Sequence, residues 1–557
     1  MSAERLIYLP LGGAGEVGMN AYVYGYGKPG RERLILVDLG VTFPDMDSAP
    51  GVDLILPDIA WLVENRDRLE AIVITHAHED HVGALGHLWD RLRAPVFARD
   101  FTARIARRKM SEAGQPTEAV TTAPLAPETV ACGPFRLQFL PIAHSLPEAS
   151  ALLIETPAGR VLHTGDFKLD MAPGVGEPFD EELFSDLGDA GIRAMVCDST
   201  NVSVMHPGRS ESSLGSNIEE LVREAPGLVV ATTFASNVAR LRTLALAARA
   251  TGRSVCLMGR AMQTMVRTST EAGLLTDFPT TVTPEEASEI PRENLMLLVT
   301  GSQGERRAAS AQLARGSYMG IELKEGDQFL FSSATIPGNE RSVLRIVNQL
   351  AERGVDVQDN AGGAYHVSGH ANRPDLERMH ELVRPQMLIP MHGEYRHLRA
   401  HAKLARGRGM ASIVAPNGTM LDLSGAVPKV VDQIETGRLY LDGTAIYGAL
   451  DGVVRNRLRM AMNGLVTVSL IIDEDGQPLG DAWAETMGLP ETGRGGQKLA
   501  EALEQAMAQD LERADRRLLE NDNRLTEALR RRVRNTCLDE IGKKPEVMVT
   551  ISRLADD

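Results

Sequence analysis

The sequence predicts an α/β protein built from several domains. Short β-branched runs, such as LILVD at 34–38 and AIVIT at 71–75, indicate buried strands that end at polar loops. Amphipathic stretches between them, such as FTARIARRKM at 101–110, have helical spacing. A chain of 557 residues is too long for one hydrophobic core, so we expect about three domains.

The composition is that of an ordinary globular protein with an acidic charge balance. Apolar residues make up 43% and the formal net charge is −16, which argues against a basic surface coat. A nucleic-acid substrate stays open, because a local basic channel inside an acidic shell still attracts phosphate. Four scattered cysteines without a C-x-x-C pair indicate buried thiols in a reducing compartment. MSAERLIYLP lacks a signal-peptide pattern and no apolar run reaches membrane-span length, so we expect a cytoplasmic protein without membrane contact.

The first segment has the outline of a dinucleotide fingerprint. GAGEVG at 13–18 follows an apolar strand in the pattern G-x-G-x-x-G, and Asp38 comes about 20 residues later. A Rossmann unit needs a helix after the glycines, but the residues from Asn20 alternate like a strand, turn at 27–30 and return as a second strand. We therefore expect strands joined by turns and no dinucleotide site. Asp38 either orients the histidine loop that follows or caps a turn.

The loop after the strand at 71–75 concentrates metal-ligand chemistry. HAHEDH at 76–81 carries three imidazoles and a carboxylate within six residues. These are ligands that divalent zinc accepts. In an extended loop, His76 and His78 lie on one side and can converge on one ion, whereas Asp80 and His81 suit a second ion close by. The alternative is a solvated, histidine-rich loop, but four donors directly behind a core strand favour a metal site.

Two more donors follow later strands. His144 comes after FLPIA at 139–143, and Asp166 comes after RVLHTG at 160–165. A lone histidine after a strand is usually structural, but these donors and the histidine loop can all emerge at one edge of a sheet system. A carboxylate such as Asp166 can bridge two metals, which histidine does not readily do. The combination favours one site for two ions.

These motifs, in this order, resemble those of the metallo-β-lactamase fold, an αββα sandwich. Downstream, Asp198 ends the strand AMVCD, His366 lies in HVSGH, and His392 lies in PMHGE after the strand MLIP. They resemble the additional motifs of the β-CASP nucleases, in which a second domain is inserted into the first. Four further motifs are similar to those of the bacterial ribonuclease J family: LGGAGEVGMN near the start, DSTN at 198–201, TTFASN at 232–237 and GSQGE at 301–305. The resemblance covers essentially the whole chain.

The pattern and the resemblance together predict the domain organisation. Strands near 228–233, 254–258, 295–300 and 329–332 alternate with helical stretches and indicate a separate α/β unit. We predict a first part of the metallo-β-lactamase domain at 1–205, an inserted β-CASP domain at 206–361, a second part of the first domain at 362–422, a packed linker at 423–449 and a small α/β C-terminal domain at 450–557.

Each of three basic or glycine-rich features has more than one interpretation from sequence. Arg104, Arg107 and Arg108 share a helix face that is either solvated or in contact with nucleic acid. The loop at 301–304 either cradles phosphate or is a common turn. The arginine cluster at 530–534 either contacts RNA or a neighbouring subunit, or is solvated.

The resemblance implies two Zn²⁺ per subunit, with Mn²⁺ or Mg²⁺ as substitutes. The implied ligands are His76, His78 and His144 for one ion, Asp80, His81 and His392 for the other, and Asp166 as the bridge. Two cations about 3.5–4 Å apart lower the pKa of a shared water and offset charge on the phosphorane-like transition state. Hydroxide then attacks phosphorus in line, the ribose 3′ oxygen leaves, and the product carries a 5′-phosphate.

The resemblance also implies a substrate loop. The residues implied to hold RNA near its 5′ end are His366, Val367, Ser368, Gly369 and His370, with Ser236 as a further contact. We count Asp80, Asp198, His366 and His370 as catalytic. His370 or His366 can donate a hydrogen bond to phosphate or protonate the leaving group, and Asp198 can hold one of them in the right tautomer. The alternative is that both histidines are structural.

The function implied is a ribonuclease with 5′→3′ exonuclease activity on 5′-monophosphate RNA and endonuclease activity, acting in RNA maturation, including rRNA processing, and mRNA decay. A β-CASP nuclease acting on DNA stays open, because discrimination rests on contacts to the 2′-hydroxyl. A weakly active scaffold subunit of an RNA-decay assembly predicts lost ligands, and none is lost. Asp80 and the HVSGH and PMHGE motifs argue against thioester, lactone and lactam substrates. The family implies a homodimer or homotetramer and RNA-decay partners.

Overall fold

The computed structural model describes residues 4–360 and 363–554. The predicted domain boundary at 361–362 and the outer ends of the first and last predicted domains lie outside the described residues. The chain divides into two compact units, one of Met1–Thr42 and Leu56–Arg438 and one of Phe43–Ile55 and Leu439–Asp557. The first unit contains every residue that the sequence singles out for chemistry.

Residues 4–205 contain thirteen strands, and eleven of them belong to a two-sheet sandwich. The strands are β1 (Arg5–Gly12), β2 (Ala14–Gly15), β3 (Ala21–Gly27), β4 (Arg33–Val37), β5 (Leu54–Pro57), β6 (Leu69–Val73), β7 (Val96–Ala98), β8 (Val120–Thr122), β9 (Val130–Cys132), β10 (Phe135–Pro141), β11 (Ser150–Thr156), β12 (Gly159–His163) and β13 (Ala194–Asp198). The helices are α1 (Ala60–Glu64), α2 (Glu79–Val82), α3 (Leu85–Leu92), α4 (Asp100–Glu112) and α5 (Glu181–Asp189). The glycine-rich segment at 13–18 leads into strand β3, as expected, and not into a helix.

A second α/β layer structure follows before the chain returns to the sandwich. Its strands are β14 (Val229–Thr232), β15 (Ser254–Met258), β16 (Thr281–Val282), β17 (Leu295–Val299), β18 (Ser317–Tyr318), β19 (Ile321–Glu322), β20 (Gln328–Phe331) and β21 (Asp356–Gln358). Its helices are α6 (Gly215–Glu224), α7 (Val238–Ala250), α8 (Arg260–Glu271), α9 (Pro284–Glu289), α10 (Ala309–Arg315) and α11 (Glu340–Glu352). The order β16-β15-β17-β14-β20-β21 forms a parallel sheet with an apolar core on each face, which is why its strands are almost purely apolar.

The returning chain completes both sheets of the sandwich. It forms α12 (Arg373–Val383), β22 (Met387–Met391), β23 (Gly393–Glu394), α13 (Tyr395–Gly407), β24 (Ala411–Ser412), β25 (Thr419–Asp422) and β26 (Lys429–Gln433). In the described residues one sheet has the order β26-β25-β1-β3-β4-β6-β7-β8 and the other β24-β22-β13-β12-β11-β10-β9. Their facing sides share one core that includes Tyr8, Val73, Phe139 and Ile389.

Helices cover the outer faces of the two sheets. Residues of α5, α12 and α13 pack with Leu153, Met195 and Leu388 on the outer side of the second sheet. Helix α4 contacts β7 and β8 of the first sheet. The predicted αββα sandwich with an inserted α/β domain is therefore confirmed. The basic face of α4 is engaged locally, because Arg104 pairs with Asp100 and Arg108 pairs with Glu112.

The parallel strands of the sandwich fix where its chemistry lies. Strand β4 pairs with β6 in parallel, and β12, β13 and β22 are also mutually parallel. Val37 is aligned with Val73, and Asp198 with Met391, so the segments after these strands leave the sheets next to each other. This arrangement brings the histidine loop and the later motifs to one edge of the sandwich.

The second unit is built around its own core. Its elements are β27 (Arg438–Asp442), β28 (Ala445–Gly448), α14 (Val453–Asn463), β29 (Leu465–Ile472), β30 (Trp483–Met487), α15 (Leu499–Glu512), α16 (Arg516–Leu519), α17 (Asp522–Ile541) and β31 (Glu546–Arg553). The sheet β30-β29-β31 packs against α15 and α17. The segment predicted as a packed linker is largely strand, since it contains β26, β27 and β28. The loop at 43–55 also belongs to this unit: Asp53 N donates to the Leu441 carbonyl, and Gly443 N donates to Asp53 Oδ2.

The cysteines and the apolar segments can be described directly. Cys132, Cys197, Cys256 and Cys537 are all buried and free of disulfide bonds. Across 4–360 and 363–554, helices with both the length and the apolar character needed to cross a bilayer are absent.

Candidate active site

Seven side chains predicted as metal ligands lie together at the edge where the parallel strands end. They are His76, His78, Asp80, His81, His144, Asp166 and His392. Their ligand atoms form two groups, each with all atoms within 4.8 Å of one another, and Asp166 belongs to both. At the centre, His76 is 0% and Asp166 2% exposed.

The first group contains three histidines whose nitrogens converge. Nε2 of His76 and Nε2 of His144 each lie 3.1 Å from Nδ1 of His78. Nδ1 of His144 donates to the Gly369 carbonyl at 2.6 Å, so Nε2 of the neutral ring carries a lone pair. His76 is fixed in the same way, because its Nδ1 faces the hydroxyl oxygen of Thr75, whose hydrogen goes to a carboxylate. Lone pairs that meet at one point are satisfied by a cation.

The second group pairs two histidines with carboxylates. Nε2 of His81 lies 3.6 Å and Nε2 of His392 lies 3.8 Å from Oδ2 of Asp80. Nδ1 of His81 donates to Oδ2 of Asp38 at 2.7 Å, and Nδ1 of His392 donates to Oδ1 of Asn20 at 2.8 Å. The outer nitrogen of each ring is therefore occupied, and Nε2 is left for the centre of the site.

Asp166 joins the two groups through a single oxygen. Its Oδ2 lies 3.2 Å from Nε2 of His81, 3.3 Å from Nε2 of His392 and 3.8 Å from Nε2 of His76. Its Oδ1 is buried and has no hydrogen-bond partner in the described part of the chain. A buried carboxylate oxygen without a partner is costly unless something cationic meets it. The donor set of imidazoles and carboxylates therefore fits divalent ions such as zinc, with Asp166 between two positions.

The electrostatics separate the two groups. Burial lowers the pKa of His78 to about 4 and holds the pKa values of His76 and His144 well below the ordinary range. These rings are neutral near pH 7, which is the form that binds a metal. Burial also lowers the pKa of His81 and His392, but neighbouring carboxylates, Asp166 first, outweigh it and raise both pKa values.

Two residues of the site have left-handed backbone conformations that are uncommon for side chains with a Cβ. Asp38 has φ 62° and His392 has φ 49°. The strain at Asp38 is compensated by bonds from the histidine loop: Oδ1 accepts from the backbone N of Thr75 at 2.8 Å, and Oδ2 accepts from His81. Asp38 thus orients a predicted ligand from behind, the first of its two readings from sequence.

The HVSGH loop contacts the two groups of predicted ligands through Gly369 and His370. Nδ1 of His370 lies 2.8 Å from Oδ2 of Asp198 and 3.8 Å from Oδ2 of Asp166. Burial lowers the pKa of His370, but Asp198 and then Asp166 outweigh it and raise the pKa to about 9. Ser368 Oγ accepts from the backbone N of His370 at 3.1 Å, so this amide already has a partner within the loop. Gly369 contributes its carbonyl, to His144.

His366 differs from His370 in its electrostatic environment. Burial, Arg240 and Lys168 lower the pKa of His366 to about 3, against a weaker opposing effect of the Ser332 backbone. A ring that is neutral at pH 7 favours a hydrogen-bond donor over an acid that protonates a leaving group, so of the two histidines His370 is the better candidate for that role.

Val367 and Ser236 have surroundings that differ from those of the loop histidines. The Val367 side chain is 6% exposed and packs in an apolar core of the inserted domain. Ser236 lies between β14 and α7, and its carbonyl accepts from Val238 N. Among the described residues, neither belongs to a group of potential metal ligands. Contact of either with RNA stays a prediction.

Three residues that position the site were not singled out from the sequence. Asn20 accepts from His392; Asn201 donates through Nδ2 to Ser368 Oγ at 2.9 Å; and Arg240 contacts His366. Asn20 and Asn201 stand in the motifs LGGAGEVGMN and DSTN, so the motifs marked them without indicating their roles. Arg240 lies in an ordinary helix, and its sequence context carries no signal.

Family models match four stretches of this chain. They are the metallo-beta-lactamase superfamily at 14–225, the ribonuclease J beta-CASP domain at 226–350, the Zn-dependent metallo-hydrolase RNA specificity domain at 364–416 and the ribonuclease J C-terminal domain at 452–554. The first three cover the sandwich, its insertion and the returning segment.

Whole-chain comparisons agree with these matches. The chain is 41% identical over 552 residues to ribonuclease J of Sinorhizobium meliloti, covering 99% of this chain and 98% of that protein. It is 36% identical over 549 residues to ribonuclease J of Mycolicibacterium smegmatis, covering 97% and 96%. A solved structure of a protein of unknown function from Enterococcus faecalis V583 superimposes with a TM-score of 0.51 at 17% identity, covering 75% of this chain and all of that one, which supports the fold.

Proposed function

The chain belongs to the ribonuclease J family, and from this premise we propose a 5′→3′ exonuclease that prefers 5′-monophosphate RNA and also cuts internally. At the coarser level it is a metal-dependent, hydrolytic ribonuclease of the metallo-β-lactamase fold with a β-CASP insertion. Its proposed roles are RNA maturation, including rRNA processing, and mRNA decay.

The observation that carries this proposal is the double group of ligands around Oδ2 of Asp166. We propose that His76, His78 and His144 hold one Zn²⁺, that Asp80, His81 and His392 hold the other, and that Asp166 bridges them. Mn²⁺ and Mg²⁺ are substitutes to be tested, because such ligand sets accept several ions. When bound, paired divalent ions supply a nucleophilic water near neutral pH and positive charge for the phosphodiester transition state.

The protein's own groups supply orientation and protons. His370 carries a proton on Nδ1 toward Asp198, which leaves Nε2 free to donate to a phosphate oxygen or to the leaving 3′ oxygen. Asp198 is itself held by the backbone N and the hydroxyl of Thr200, at 2.9 and 2.7 Å from its Oδ1. This chain of bonds keeps the ring in one place while substrate charge changes.

The 5′ preference is assigned to the HVSGH loop. His366 and Ser368 carry polar groups in the loop that also supplies His370, and Asn201 holds Ser368 in place. We propose that this loop receives the terminal phosphate, with Ser236 as a more distant contact. The RNA specificity model that matches 364–416 supports this assignment and favours RNA over DNA.

We further propose the domain boundaries predicted above and a homodimer or homotetramer with RNA-decay partners. Support for the assembly comes from the family alone. Cytoplasmic action is the matching proposal for a protein with buried, free cysteines.

The proposal is tested with purified protein and one RNA that carries a 5′-monophosphate, a 5′-triphosphate or a 5′-hydroxyl, beside the matching DNA strand. Mononucleotide release from the monophosphate RNA, abolished by chelator and restored by Zn²⁺ or Mn²⁺, supports the exonuclease. Equal internal cutting of all three RNAs makes the endonuclease primary. Faster cutting of DNA, or no cutting in any metal, refutes the proposal and favours the DNA nuclease or the scaffold.

A further inference from the structure

Arg240 on α7 is fully buried and connects the inserted domain to the HVSGH loop. Its Nε and Nη2 donate to the two carboxylate oxygens of Glu211 at 2.6 and 2.9 Å. Its Nη1 lies 2.7 Å from the Ser332 carbonyl and 3.2 Å from the Tyr365 carbonyl. A buried guanidinium with a bidentate carboxylate and carbonyl acceptors is held in a single orientation.

The same nitrogen faces His366. Nη1 of Arg240 lies 3.2 Å from Nδ1 of His366. A guanidinium nitrogen only donates, so this contact is a hydrogen bond when Nδ1 of His366 is the unprotonated nitrogen. The same Nη1 also faces the Ser332 carbonyl, the Ser332 hydroxyl and the Tyr365 carbonyl. With Nδ1 as the acceptor, the single proton of the neutral ring is on Nε2, the atom that points away from Arg240, and the guanidinium favours this tautomer.

A second buried ion pair, between Lys168 and Asp170, holds Glu211 from the side of the predicted metal ligands. Glu211 N donates to Oδ2 of Asp170 at 3.0 Å, and Lys168 Nζ lies 2.7 Å from the same oxygen. Lys168 and Asp170 directly follow the segment that carries Asp166. Both ion pairs are nearly inaccessible to solvent, since Glu211 is 3% and Lys168 4% exposed. The chain of contacts runs from the loop of the predicted bridging ligand, through the inserted domain, to the HVSGH loop.

We propose that Arg240 is a positioning residue that fixes His366 as an Nε2–H donor to a phosphate oxygen of the RNA, and so sets the affinity for the 5′ end without touching it. The proposal rests on the proposed function, because that function identifies the phosphate as the 5′-phosphate of RNA. Arg240 and Glu211 are buried, so the guanidinium does not act as a positive charge on the protein surface. An ion pair that only stabilised the inserted domain would not need the contact from Arg240 to Nδ1 of His366.

The first experiment reads the tautomer directly and needs no activity. Protein labelled with ¹³C,¹⁵N-histidine is examined by NMR at pH 7, and the His366 signals are assigned by their loss in His366→Gln. We expect the pure Nε2–H tautomer in the parent protein and a mixture of tautomers in Arg240→Lys, since lysine keeps the charge for Glu211 but lacks the fork that reaches His366. A parent ring protonated on Nδ1 overturns the proposal.

The second experiment reads the phosphate contact. KM and kcat are measured for 5′-monophosphate and 5′-hydroxyl RNA. We expect Arg240→Lys to raise KM for the monophosphate RNA about tenfold, the effect of about one hydrogen bond, with kcat little changed. In a His366→Ala background the same substitution should have no further effect on KM. Additive effects of the two substitutions contradict positioning through His366.

Arg253→Lys is the matched control. Arg253 is also a nearly buried arginine of the inserted domain, and it donates to the carbonyls of Gly227 and Ala225, away from His366. It should lower stability and leave KM unchanged. An equal rise of KM in both variants would show a general loss of packing and overturn the proposal.

His366→Gln guards against a variant of Arg240 that does not fold. Glutamine retains an N–H near the position of Nε2, so His366→Gln should keep more of the KM preference for 5′-monophosphate over 5′-hydroxyl RNA than His366→Ala does. An equal loss of this preference in both variants refutes the donor role. If the parent cuts no RNA, the proposed function fails, and the tautomer experiment alone decides whether Arg240 positions His366.

Discussion

Oδ1 of Asn20 accepts a hydrogen bond from Nδ1 of His392 at 2.8 Å, although 372 positions separate the two residues. The orientation of the amide is determined by its other end, because Nδ2 donates at 2.9 Å to the carbonyl of Asp80, which can only accept. Tyr22 donates to the same Oδ1 at 2.6 Å. One buried amide thus connects two of the predicted ligands of the second group.

Replacing Asn20 with alanine should weaken the second metal position selectively. The change leaves Nδ1 of His392 without its partner, at a cost of about 1–3 kcal/mol, and removes one of two bonds to the Asp80 carbonyl, which still accepts from the backbone N of residue 20. Outer partners of this kind change metal affinity roughly 10–100-fold. Calorimetric titration of the metal-free protein should show one class of site weakened and the other kept.

Asn417→Ala is the control for Asn20→Ala. Asn417 also bonds to the glycine-rich segment, through Ala14 N and Glu16, but within the described residues it forms no hydrogen bond to a predicted ligand. It should lower the melting temperature without changing metal affinity. Equal weakening of both classes of site by Asn20→Ala would contradict its assignment to the second group.

Gly369→Ala should disable the site while the fold survives. A Cβ at this position would lie 2.8 Å from Cε1 and 3.0 Å from Nδ1 of His144, so the loop or the ring must move. Displacing a ligand by about 1 Å costs roughly 10²-fold in rate. RNA cleavage and far-UV circular dichroism are compared with Gly407→Ala, where the added Cβ meets nothing within 4 Å. Full activity of Gly369→Ala would show that the Gly369–His144 contact is dispensable.

Asp198→Asn should lower kcat because His370 loses its cationic form. The asparagine oxygen keeps the two bonds from Thr200, so its NH₂ group faces Nδ1 of His370, which must then accept. Only Nε2 of the ring then carries a proton, so the ring is neutral and is a weaker acid than the cation of the parent. We expect a fall in kcat of about 10²–10⁴-fold, the usual range for a general acid, with a smaller change in KM. An unchanged kcat would exclude His370 from proton transfer.

A buried histidine pair behind the site should make the fold sensitive to acid. Nε2 of His380 lies 3.0 Å from Nε2 of His401, and burial lowers the pKa of His380 to about 3 and that of His401 well below its ordinary value. The unfolded chain binds these protons below about pH 6.5. The folded protein binds the His380 proton only near pH 3, and the lowered pKa of His401 also delays protonation of that ring to more acidic pH. Stability is therefore complete above pH 6.5 and falls below it, by about 1.4 kcal/mol per pH unit for each histidine.

Urea unfolding of the metal-free protein at pH 7 and pH 5 tests this pair. His380→Gln/His401→Gln should have a smaller loss of stability between the two pH values than the parent, whereas His206→Gln, an exposed histidine, should match the parent. An equal loss in all three proteins would place the acid sensitivity elsewhere.

The fold and the predicted ligands follow from local patterns in the sequence. Each ligand comes directly after an apolar strand, and parallel pairing of β4 with β6 and of β12 with β13 and β22 brings those strand ends together. The groups that hold the ligands depend on contacts between distant segments. Asn20 meets His392, and Arg240 meets His366 across 126 positions, and no periodicity encodes either pairing.

Local sequence patterns also fail to predict the protonation states of the histidines and the composition of the second unit. His366 and His370 stand four residues apart in one motif, yet Arg240 lowers the pKa of one and Asp198 raises the pKa of the other. The motif alone allowed both to act as acids. Loop 43–55 joins the C-terminal unit through one backbone bond to Leu441 and one bond from Gly443 N to the Asp53 carboxylate, and a single aspartate in a loop does not indicate so distant a partner.

The long separation of Asn20 from His392 in the sequence also determines when the second group can be completed during translation. A ribosome adds roughly 5–20 residues per second, so the 372 intervening positions take about 20–75 s to translate. Once Asp166 has been added, the nascent chain contains the residues of the first group but lacks the last proposed ligand of the second. Its edge strand β1 also waits for β25, which pairs with it only near the end of the first unit. On the proposed ligand assignment, we expect hydrolytic activity only after nearly the whole first unit has left the ribosome.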